Sequence, residues 1–150
     1  MKNVVLIFGL VFFFKFALAQ DHVKRNNIVI ESNFIISLPI SYDRVVPLNN
    51  KLALTFGADY VLGVGFAYGS HWLAPEINLL SFGPKHFLES GIQYAYYINS
   101  DPESDDNHSP GLRLAYKYQS ESGVIFRLAM TFFFNIDPII FPTIGLGYAF

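Results

Sequence analysis

Hydrophobic and polar residues alternate with a period of two along most of the chain from Asn27 onward. In the segment 52–60, for example, Leu54 and Phe56 fall on one parity, whereas Thr55 falls on the other. Alternating segments that are bounded by turn residues predict β-strands. No window of the sequence has the sustained apolar stripe of a helix. The sequence therefore predicts an all-β fold.

Two kinds of connection join the alternating segments. Short turns are predicted at residues 47–50, 83–85 and 120–123, and longer connections at residues 61–70 and 99–110. The connection Asn99–Pro110 is polar and contains four acids, which is typical of a solvated loop: Asp101, Glu103, Asp105 and Asp106. Short turns at one end and long polar loops at the other are typical of a transmembrane β-barrel, whose turns lie in the periplasm and whose loops lie outside.

The number of strands needs one further step. Seven alternating segments can be delimited, namely residues 27–46, 52–62, 71–82, 86–98, 111–119, 124–134 and 140–150. Single-chain bacterial barrels have even strand numbers, and the segment 27–46 is about twice as long as one span needs. We expect it to divide near Ser37–Pro39, or an N-terminal stretch to supply an extra pairing. The prediction is a small antiparallel up-and-down transmembrane β-barrel with eight strands.

The size of the side chains indicates which face of the sheet points outward. One face carries bulky Tyr, Phe, Leu and Ile, whereas the other mixes Gly, Ala and Thr with charges of both signs. An eight-stranded barrel has an interior barely wide enough for side chains. The bulky face is therefore predicted to contact lipid, with Trp72 and the tyrosines as girdle residues at the membrane interfaces. A soluble, periplasmic lipocalin-like binding barrel, with its apolar face inward, is the alternative.

Charged residues of both signs occur at the parity predicted to face the lumen. They are Glu31, Asp43, Asp59, Glu76, Glu89, Arg113, Lys117 and Arg127. An unpaired charge in a closed lumen is costly, so these residues are expected to pair with one another. We interpret them as an interior ion network that holds the barrel together. A narrow hydrophilic passage or a catalytic carboxylate pair is the functional alternative.

The first residues are typical of a secretory signal peptide. A basic start is followed by an apolar run of about eleven residues, too short for the roughly 20 of a spanning helix. Small residues at Ala17 and Ala19 predict cleavage between Ala19 and Gln20. Residues 1–19 are thus predicted to be the signal peptide, and residues 20–150 the outer-membrane barrel domain.

Composition excludes several classes of function. The chain is 52% hydrophobic and 15% charged with a net charge of −2, and it has no basic run that could neutralise a row of phosphates. Nucleic acid is therefore not an expected partner. The absence of cysteine excludes disulfides, thiolate zinc sites and a cysteine nucleophile. His22 and His108 occur singly in polar segments, and His86 is expected to make an interfacial contact with Glu89. We predict no metal and no cofactor.

The last residues carry a further signal. Hydrophobic residues alternate up to a terminal aromatic, which resembles the C-terminal assembly signal of bacterial outer-membrane proteins: Ile144, Leu146, Tyr148 and Phe150. Together with Tyr42-Asp43-Arg44, Lys85–Glu89 and Phe126-Arg127, this pattern looks like the small, mostly uncharacterised outer-membrane β-barrel proteins of Bacteroidota. The resemblance covers nearly the whole mature chain. It implies the bacterial outer membrane as location and the barrel-assembly machinery as a partner during insertion, but no activity.

The predicted function is that of a structural or surface-interaction protein with a side-chain-filled lumen. It would contact outer-membrane lipid and act through its extracellular loops, whose partner the sequence does not define. A porin-like passage is a variant of this interpretation. The enzyme alternative is a lipid A deacylase or acyltransferase, with Ser70, His71 and Glu76 as candidate catalytic residues. Because Ser70 and His71 are adjacent, their side chains point to opposite faces of a strand, so no enzyme is predicted.

Overall fold

The protein folds as one closed antiparallel β-barrel in a computed structural model that describes residues 24–33, 37–63, 71–83, 85–98, 108–135 and 140–150. The strands are β1 (Asn26–Ser32), β2 (Ser37–Pro47), β3 (Leu52–Gly63), β4 (His71–Phe82), β5 (His86–Tyr97), β6 (His108–Gln119), β7 (Val124–Phe133) and β8 (Ile140–Ala149). Each strand pairs with its neighbour in the sequence, and β1 pairs with β8 to close the barrel. The predicted all-β, eight-stranded up-and-down fold is confirmed.

The long first segment divides into two strands. β1 and β2 pair through residues such as Ile30 and Ile40, and an isolated bridge joins Asn33 to Ser37. The division lies just before Ser37, slightly earlier than the predicted Ser37–Pro39. This division supplies the eighth strand and brings the start of β1 and the end of β8 to the same end of the barrel, where Asn26 and Phe150 exchange two backbone hydrogen bonds.

One end of the barrel is built from short turns, and we call it the turn rim: residues 24–26, 44–52, 85–86, 118–124 and 148–150. Side chains shape these turns. The Asn49 Oδ1 atom accepts hydrogen bonds from the backbone of Lys51 and Leu52 at 2.8 and 2.9 Å, and Ser120 Oγ accepts one from Val124 at 2.9 Å. Gly123 has a φ of +103°, which favours glycine. The opposite end, where the longer connections join the strands, is called the loop rim.

The alternation seen in the sequence becomes an inside and an outside. Large hydrophobic side chains on the outer face have exposed fractions of 39% to 64%, whereas the inward parity holds the charged residues. Leu128 and Met130, for example, point outward, between inward-pointing Arg127, Ala129 and Thr131. In the described part of the chain no helix is long and apolar enough to cross a membrane.

The lumen is layered along the barrel axis. A hydrophobic cluster lies near the loop rim, composed of Val61, Trp72, Ala74, Ala95, Phe133 and Phe141, with Tyr97 packed against it. Two clusters lie near the turn rim, one of Val45, Ala53, Leu80 and Phe87 and the other of Val29, Ile125 and Ala149. The charged residues occupy the space between them. The middle of the lumen is therefore ionic, with hydrophobic clusters toward both rims.

Trp72 corrects one expectation. It was predicted to belong to the outer aromatic girdle, but its side chain is buried in the lumen, 5.5 Å from the ring of Tyr97. Phe133 and Phe141 pack edge to face beside it, with ring centroids 5.5 Å apart. The interior therefore accommodates large aromatic rings near the loop rim, since small residues such as Ala74 and Ala95 occupy the same layer.

Candidate functional site: the interior ionic cluster

Eight charged side chains meet in the middle layer of the lumen, and we call them the ionic cluster. Five are acids and three are bases, all at most 4% exposed: Glu31, Asp43, Asp59, Glu76, Glu89, Arg113, Lys117 and Arg127. These are the residues that the sequence pattern predicted for the lumen. Their positions follow a simple order, because each of β1 to β5 contributes one acid and β6 and β7 contribute the bases.

Arg113 contacts three acids. Its Nη2 atom lies 2.5 Å from Glu31 Oε1, its Nη1 atom 3.4 Å from Asp59 Oδ2, and its Nε atom 3.4 Å from Glu76 Oε2. The planar guanidinium has donors along three edges, which suits it to several carboxylates at once. Arg113 thus joins β6 to β1, β3 and β4 across the lumen.

Arg127 forms the second centre of the cluster. Its Nη1 atom lies 3.1 Å from Glu31 Oε1 and its Nε atom 3.4 Å from Glu89 Oε2, while Nη2 is paired with Asp43 Oδ2. Glu31 therefore bridges both arginines through one carboxylate oxygen. The two centres form one connected network rather than separate ion pairs.

Lys117 and Arg127 are directly opposite each other on β6 and β7, so two like charges are neighbours. Glu89 lies between them: its Oε1 atom is 3.0 Å from Lys117 Nζ, and its other oxygen faces Arg127. Like charges placed opposite each other destabilise a sheet. The shared carboxylate of Glu89 offsets this repulsion.

Neutral polar side chains extend the ionic cluster to the last strand. Thr143 on β8 donates a hydrogen bond from Oγ1 to Glu31 Oε2, and Gln93 on β5 donates one from Nε2 to Asp59 Oδ2 at 2.6 Å. All eight strands therefore contribute to one network. Thr143 and Gln93 were not among the predicted lumen residues, although their parity, the same as that of Gly145 and Glu89, indicates inward side chains.

Two glycines make room for this network. Gly145 lies between Glu31 on β1 and Arg127 on β7 in the strand register, and a Cβ atom there would be 2.7 Å from Glu31 Cγ. Gly57 lies in the same way between Asp43 and Glu76, and a Cβ atom there would be 3.3 Å from Glu76 Oε1. Glycine at these positions allows long charged side chains from the flanking strands to cross above it.

A small cavity lies between the ionic cluster and the loop-side hydrophobic cluster. Its volume is about 30 Å³, and its lining includes Asp59, Gln93, Arg113 and Thr131 on one side and Trp72 on the other. A site for a drug-sized ligand occupies roughly 300–1,000 Å³. This cavity has room for about one or two water molecules among polar partners.

The candidate catalytic residues do not share one side of the sheet. His71 lies on the outer face, where its Nδ1 atom is 3.3 Å from the Tyr60 hydroxyl, whereas Glu76 is buried in the lumen beside Arg113. Ser70 lies outside the described residues, as do His22, the predicted signal peptide and residues 99–107 of the acidic connection. Within the described ranges, no group of three or more His, Asp or Glu side chains is arranged to hold a metal ion.

Histidine–tyrosine pairs occur on the outer face near both rims. His86 Nδ1 lies 2.6 Å from the Tyr116 hydroxyl at the turn rim, and the rings of Tyr94 and His108 stack with centroids 5.6 Å apart near the loop rim. The predicted contact between His86 and Glu89 is wrong. The two residues have opposite parities on β5, so the His86 side chain points outward and the Glu89 side chain points into the lumen. These pairs have an apolar body and a polar tip, as side chains at membrane interfaces do.

A groove of about 390 Å³ runs across the outer face of β4, β5 and β6, where it is lined by Pro75, Ile77, Ile92, Tyr94, Pro110 and Leu112 among others. Pro75 has no N–H group to donate, and the pairing of β4 with β5 is interrupted beside it, between Leu73–Tyr96 and Glu76–Gln93. The groove is apolar and continuous with the hydrophobic outer surface, so it belongs to that surface rather than to the lumen.

No protein-family description matches the chain, and no curated protein matches it. The resemblance to small outer-membrane barrels of Bacteroidota therefore stays a prediction from sequence pattern. Of the four residues assigned to the assembly signal, Leu146, Tyr148 and Phe150 have exposed side chains on the outer face of the barrel, and Ile144 is partly buried.

Proposed function

We propose that this protein is a small outer-membrane β-barrel with a structural or surface-interaction role, and that its filled lumen does not conduct. The observation that carries the proposal is a distribution of side chains opposite to that of a water-soluble protein. Large hydrophobic residues cover the outside, while eight charged residues fill the inside. A closed barrel is the sheet architecture that satisfies all backbone hydrogen bonds in lipid.

The same distribution favours a membrane barrel over a soluble binding barrel. A lipocalin-like protein holds an apolar ligand inside and presents polar residues to water. Here the layer at mid-lumen is ionic, and the cavity beside it measures about 30 Å³. Outward side chains such as Leu88 and Leu146 are both 64% exposed. Such an exposed apolar surface is favourable in contact with lipid acyl chains.

The lumen supports a structural role rather than a pore. The ionic cluster is bounded on both sides by hydrophobic clusters, so the charged residues do not form a continuous polar path between the rims. Eight-stranded barrels are commonly filled by their own side chains. The protein then acts through the connections at the loop rim, which face the outside, while the turn rim faces the periplasm. Insertion uses the barrel-assembly machinery.

A charge placed on the outer face tests this proposal. Leu114 is 53% exposed in the middle of β6, and Leu114→Arg should lower the free energy of unfolding in lipid vesicles by about 2–4 kcal/mol, the cost of Arg at the bilayer midplane. Leu48→Arg is the matched control, since Leu48 is 47% exposed but lies in a turn. It should cost only about 0–1 kcal/mol.

The two variants separate the membrane barrel from the soluble one. In a soluble barrel both substitutions replace a water-exposed leucine and should have similar, small effects. Equal stability of the two variants, together with recovery of the wild-type protein in the soluble periplasm, would contradict the proposal.

Outer-membrane fractionation, with boiled and unboiled gel samples to detect the folded barrel, checks the location directly. Planar-bilayer recordings at baseline conductance are expected for a filled lumen.

A further inference from the structure

The charged side chains outside the lumen are distributed unequally between the two ends of the barrel. Within the described ranges, every charged side chain that does not belong to the ionic cluster lies on the turn rim. Five are basic and one is acidic: Lys24, Arg25, Arg44, Lys51, Lys85 and Glu121. The turn rim is therefore predominantly basic, and it borders the hydrophobic outer face of the barrel. We call its five basic residues the basic collar.

Contacts on the turn rim show which bases form an ion pair or donate to the backbone. Lys85 Nζ forms an ion pair with Glu121 Oε1 at 2.9 Å. Lys24 Nζ donates a hydrogen bond to the backbone oxygen of Ser122 at 2.8 Å and lies 5.1 Å from the centre of the Tyr148 ring. The remaining bases, Arg25, Arg44 and Lys51, take part in none of the ion pairs among the described residues. Their charge is available to an external anion.

These bases lie at the same end of the barrel as several outward aromatic side chains with polar tips. Arg44 points outward from β2 next to Tyr42, and both side chains contact Asn26 Oδ1, at 3.4 and 3.0 Å. Tyr148 and the His86–Tyr116 pair lie on the same rim. Aromatic rings with a polar tip concentrate at the membrane interface, and long basic side chains extend from apolar surface toward it.

We propose that the turn rim binds anionic phospholipids of the adjacent leaflet through their phosphate groups, with Arg25, Arg44 and Lys51 as the principal contacts. The inference rests on the proposed membrane location. A guanidinium matches the geometry of phosphate oxygens, and clustered bases are attracted to an anionic lipid surface. The collar fixes the depth and orientation of the barrel, because its bases are stabilised when the turn rim lies in the headgroup layer.

Lipid retention during native mass spectrometry tests the assignment. The full-length protein is folded in mixed micelles with equal amounts of phosphatidylglycerol and phosphatidylcholine that have the same acyl chains. We expect the wild-type barrel to retain phosphatidylglycerol preferentially. Each base removed should reduce the preference by roughly fivefold at low salt, so that the triple variant Arg25→Gln, Arg44→Gln, Lys51→Gln retains the two lipids about equally.

A charge-conserving triple variant is the matched control. Arg25→Lys, Arg44→Lys and Lys51→Arg keep all three charges, so this variant should retain most of the preference and lose it only as salt is added. No preference in the wild-type protein, or an unchanged preference in the glutamine variant, would overturn the inference.

Heat-dependent gel migration of all three proteins in phosphatidylcholine vesicles monitors the folding of the barrel separately. If they insert and fold there without preferring phosphatidylglycerol, the membrane barrel stands and the lipid site fails. If the wild-type protein does not insert, the proposed function fails.

Discussion

The inside and the outside of this barrel are built from the same strands but are stabilised in different ways. Neighbouring residues such as Arg127 and Leu128 have opposite environments: the first contacts three carboxylates and is fully buried, whereas the second is 44% exposed on the outer face. Inside, each side chain depends on specific partners from other strands. Outside, the large hydrophobic side chains are exposed, and in the proposed membrane location they contact lipid.

This difference predicts how substitutions are tolerated. In the proposed membrane location, lipid tails are as apolar as leucine, so shortening an outward side chain would replace protein contacts with similar lipid contacts. A buried charge that loses its partner has no such replacement and keeps its desolvation cost. The position of a residue relative to the sheet, rather than its hydrophobicity, should therefore decide the cost of changing it.

The largest effect is expected for the central cation. Arg127→Met leaves Asp43 and Glu89 without their arginine contacts, and it should lower the free energy of unfolding by about 3–5 kcal/mol. Urea unfolding in vesicles measures the loss, with the fluorescence of Trp72, the single tryptophan, as the reporter. Leu128→Ala on the outer face should cost no more than about 1 kcal/mol, because in the proposed membrane location this side chain contacts lipid.

A second variant keeps this comparison testable if Arg127→Met does not fold. Arg127→Lys preserves the charge but not the fork of donors, so it should fold with a stability between those of wild type and Arg127→Met. Equal stability of Arg127→Met and Leu128→Ala would mean that the ionic cluster contributes no more to stability than the outer surface does, contrary to the comparison.

The next effect concerns the hydrophobic layer at the loop rim. Trp72→Ala removes the largest side chain of that layer and should lower the free energy of unfolding by about 3 kcal/mol, measured by circular dichroism. Its outward neighbour Leu73, 44% exposed, is the matched position, and Leu73→Ala should cost much less. Conductance should stay at baseline in both variants, because the ionic cluster and the turn-side clusters still fill the lumen. An open channel in Trp72→Ala would show that the loop-side layer alone closes the lumen.

The alternation of side-chain size, together with the even strand number of bacterial barrels, was sufficient to predict the fold and the charged residues of the lumen. Glu31 and Arg113 could be assigned to the interior because their parity is opposite to that of the bulky residues around them. Their contact could not be predicted, because it crosses the lumen between β1 and β6, which are not adjacent. Such contacts depend on the registers of all the intervening strand pairs, and an error of one residue turns a side chain to the other face.

Two departures from the predictions have local physical causes. The connection between β1 and β2 has no strong turn signal in the sequence, because the apolar run Phe34-Ile35-Ile36 contains neither Gly nor Pro. For Trp72, its residue type indicated the interface, whereas its parity, the same as that of Glu76, indicated the lumen. Parity was the better guide because successive side chains of a strand always point to opposite faces of the sheet. Aromatic rings, in contrast, occur both in cores and at interfaces.

A smaller loss of stability is expected at a glycine that lies against the ionic cluster. Gly145→Ala places a Cβ atom 2.7 Å from Glu31 Cγ and 2.9 Å from Val29 Cγ1, so the neighbours must shift. The expected loss of unfolding free energy is about 1–3 kcal/mol, as for other overpacked interiors. Urea unfolding of Leu146→Ala, an outward position one residue away, provides the comparison and should show the smaller loss. In a Val29→Ala background the cost of Gly145→Ala should fall, since one of the two close contacts is gone.

The smallest effect is expected for the exposed ion pair on the turn rim. The hydrogen bond and charge of Lys85 lower the pKa of Glu121, and the same contact raises the pKa of Lys85. The stabilisation from Glu121 is present above its ordinary pKa of 4.5 and is lost as the pH falls through the lower folded value. The stabilisation from Lys85 is present below its ordinary pKa of 10.5 and is lost as the pH rises through the higher folded value.

Between these limits both groups are charged, so the pair is intact at pH 7, but water and salt screen it strongly. Glu121→Gln should therefore unfold at the same urea concentration as wild type within error. An NMR titration of the Glu121 carboxyl should show its pKa returning upward, toward 4.5, in Lys85→Gln. A loss of stability as large as that of Arg127→Met would contradict the distinction between the two environments. It would mean that an ion pair in contact with water stabilises this barrel as much as one enclosed by all eight strands.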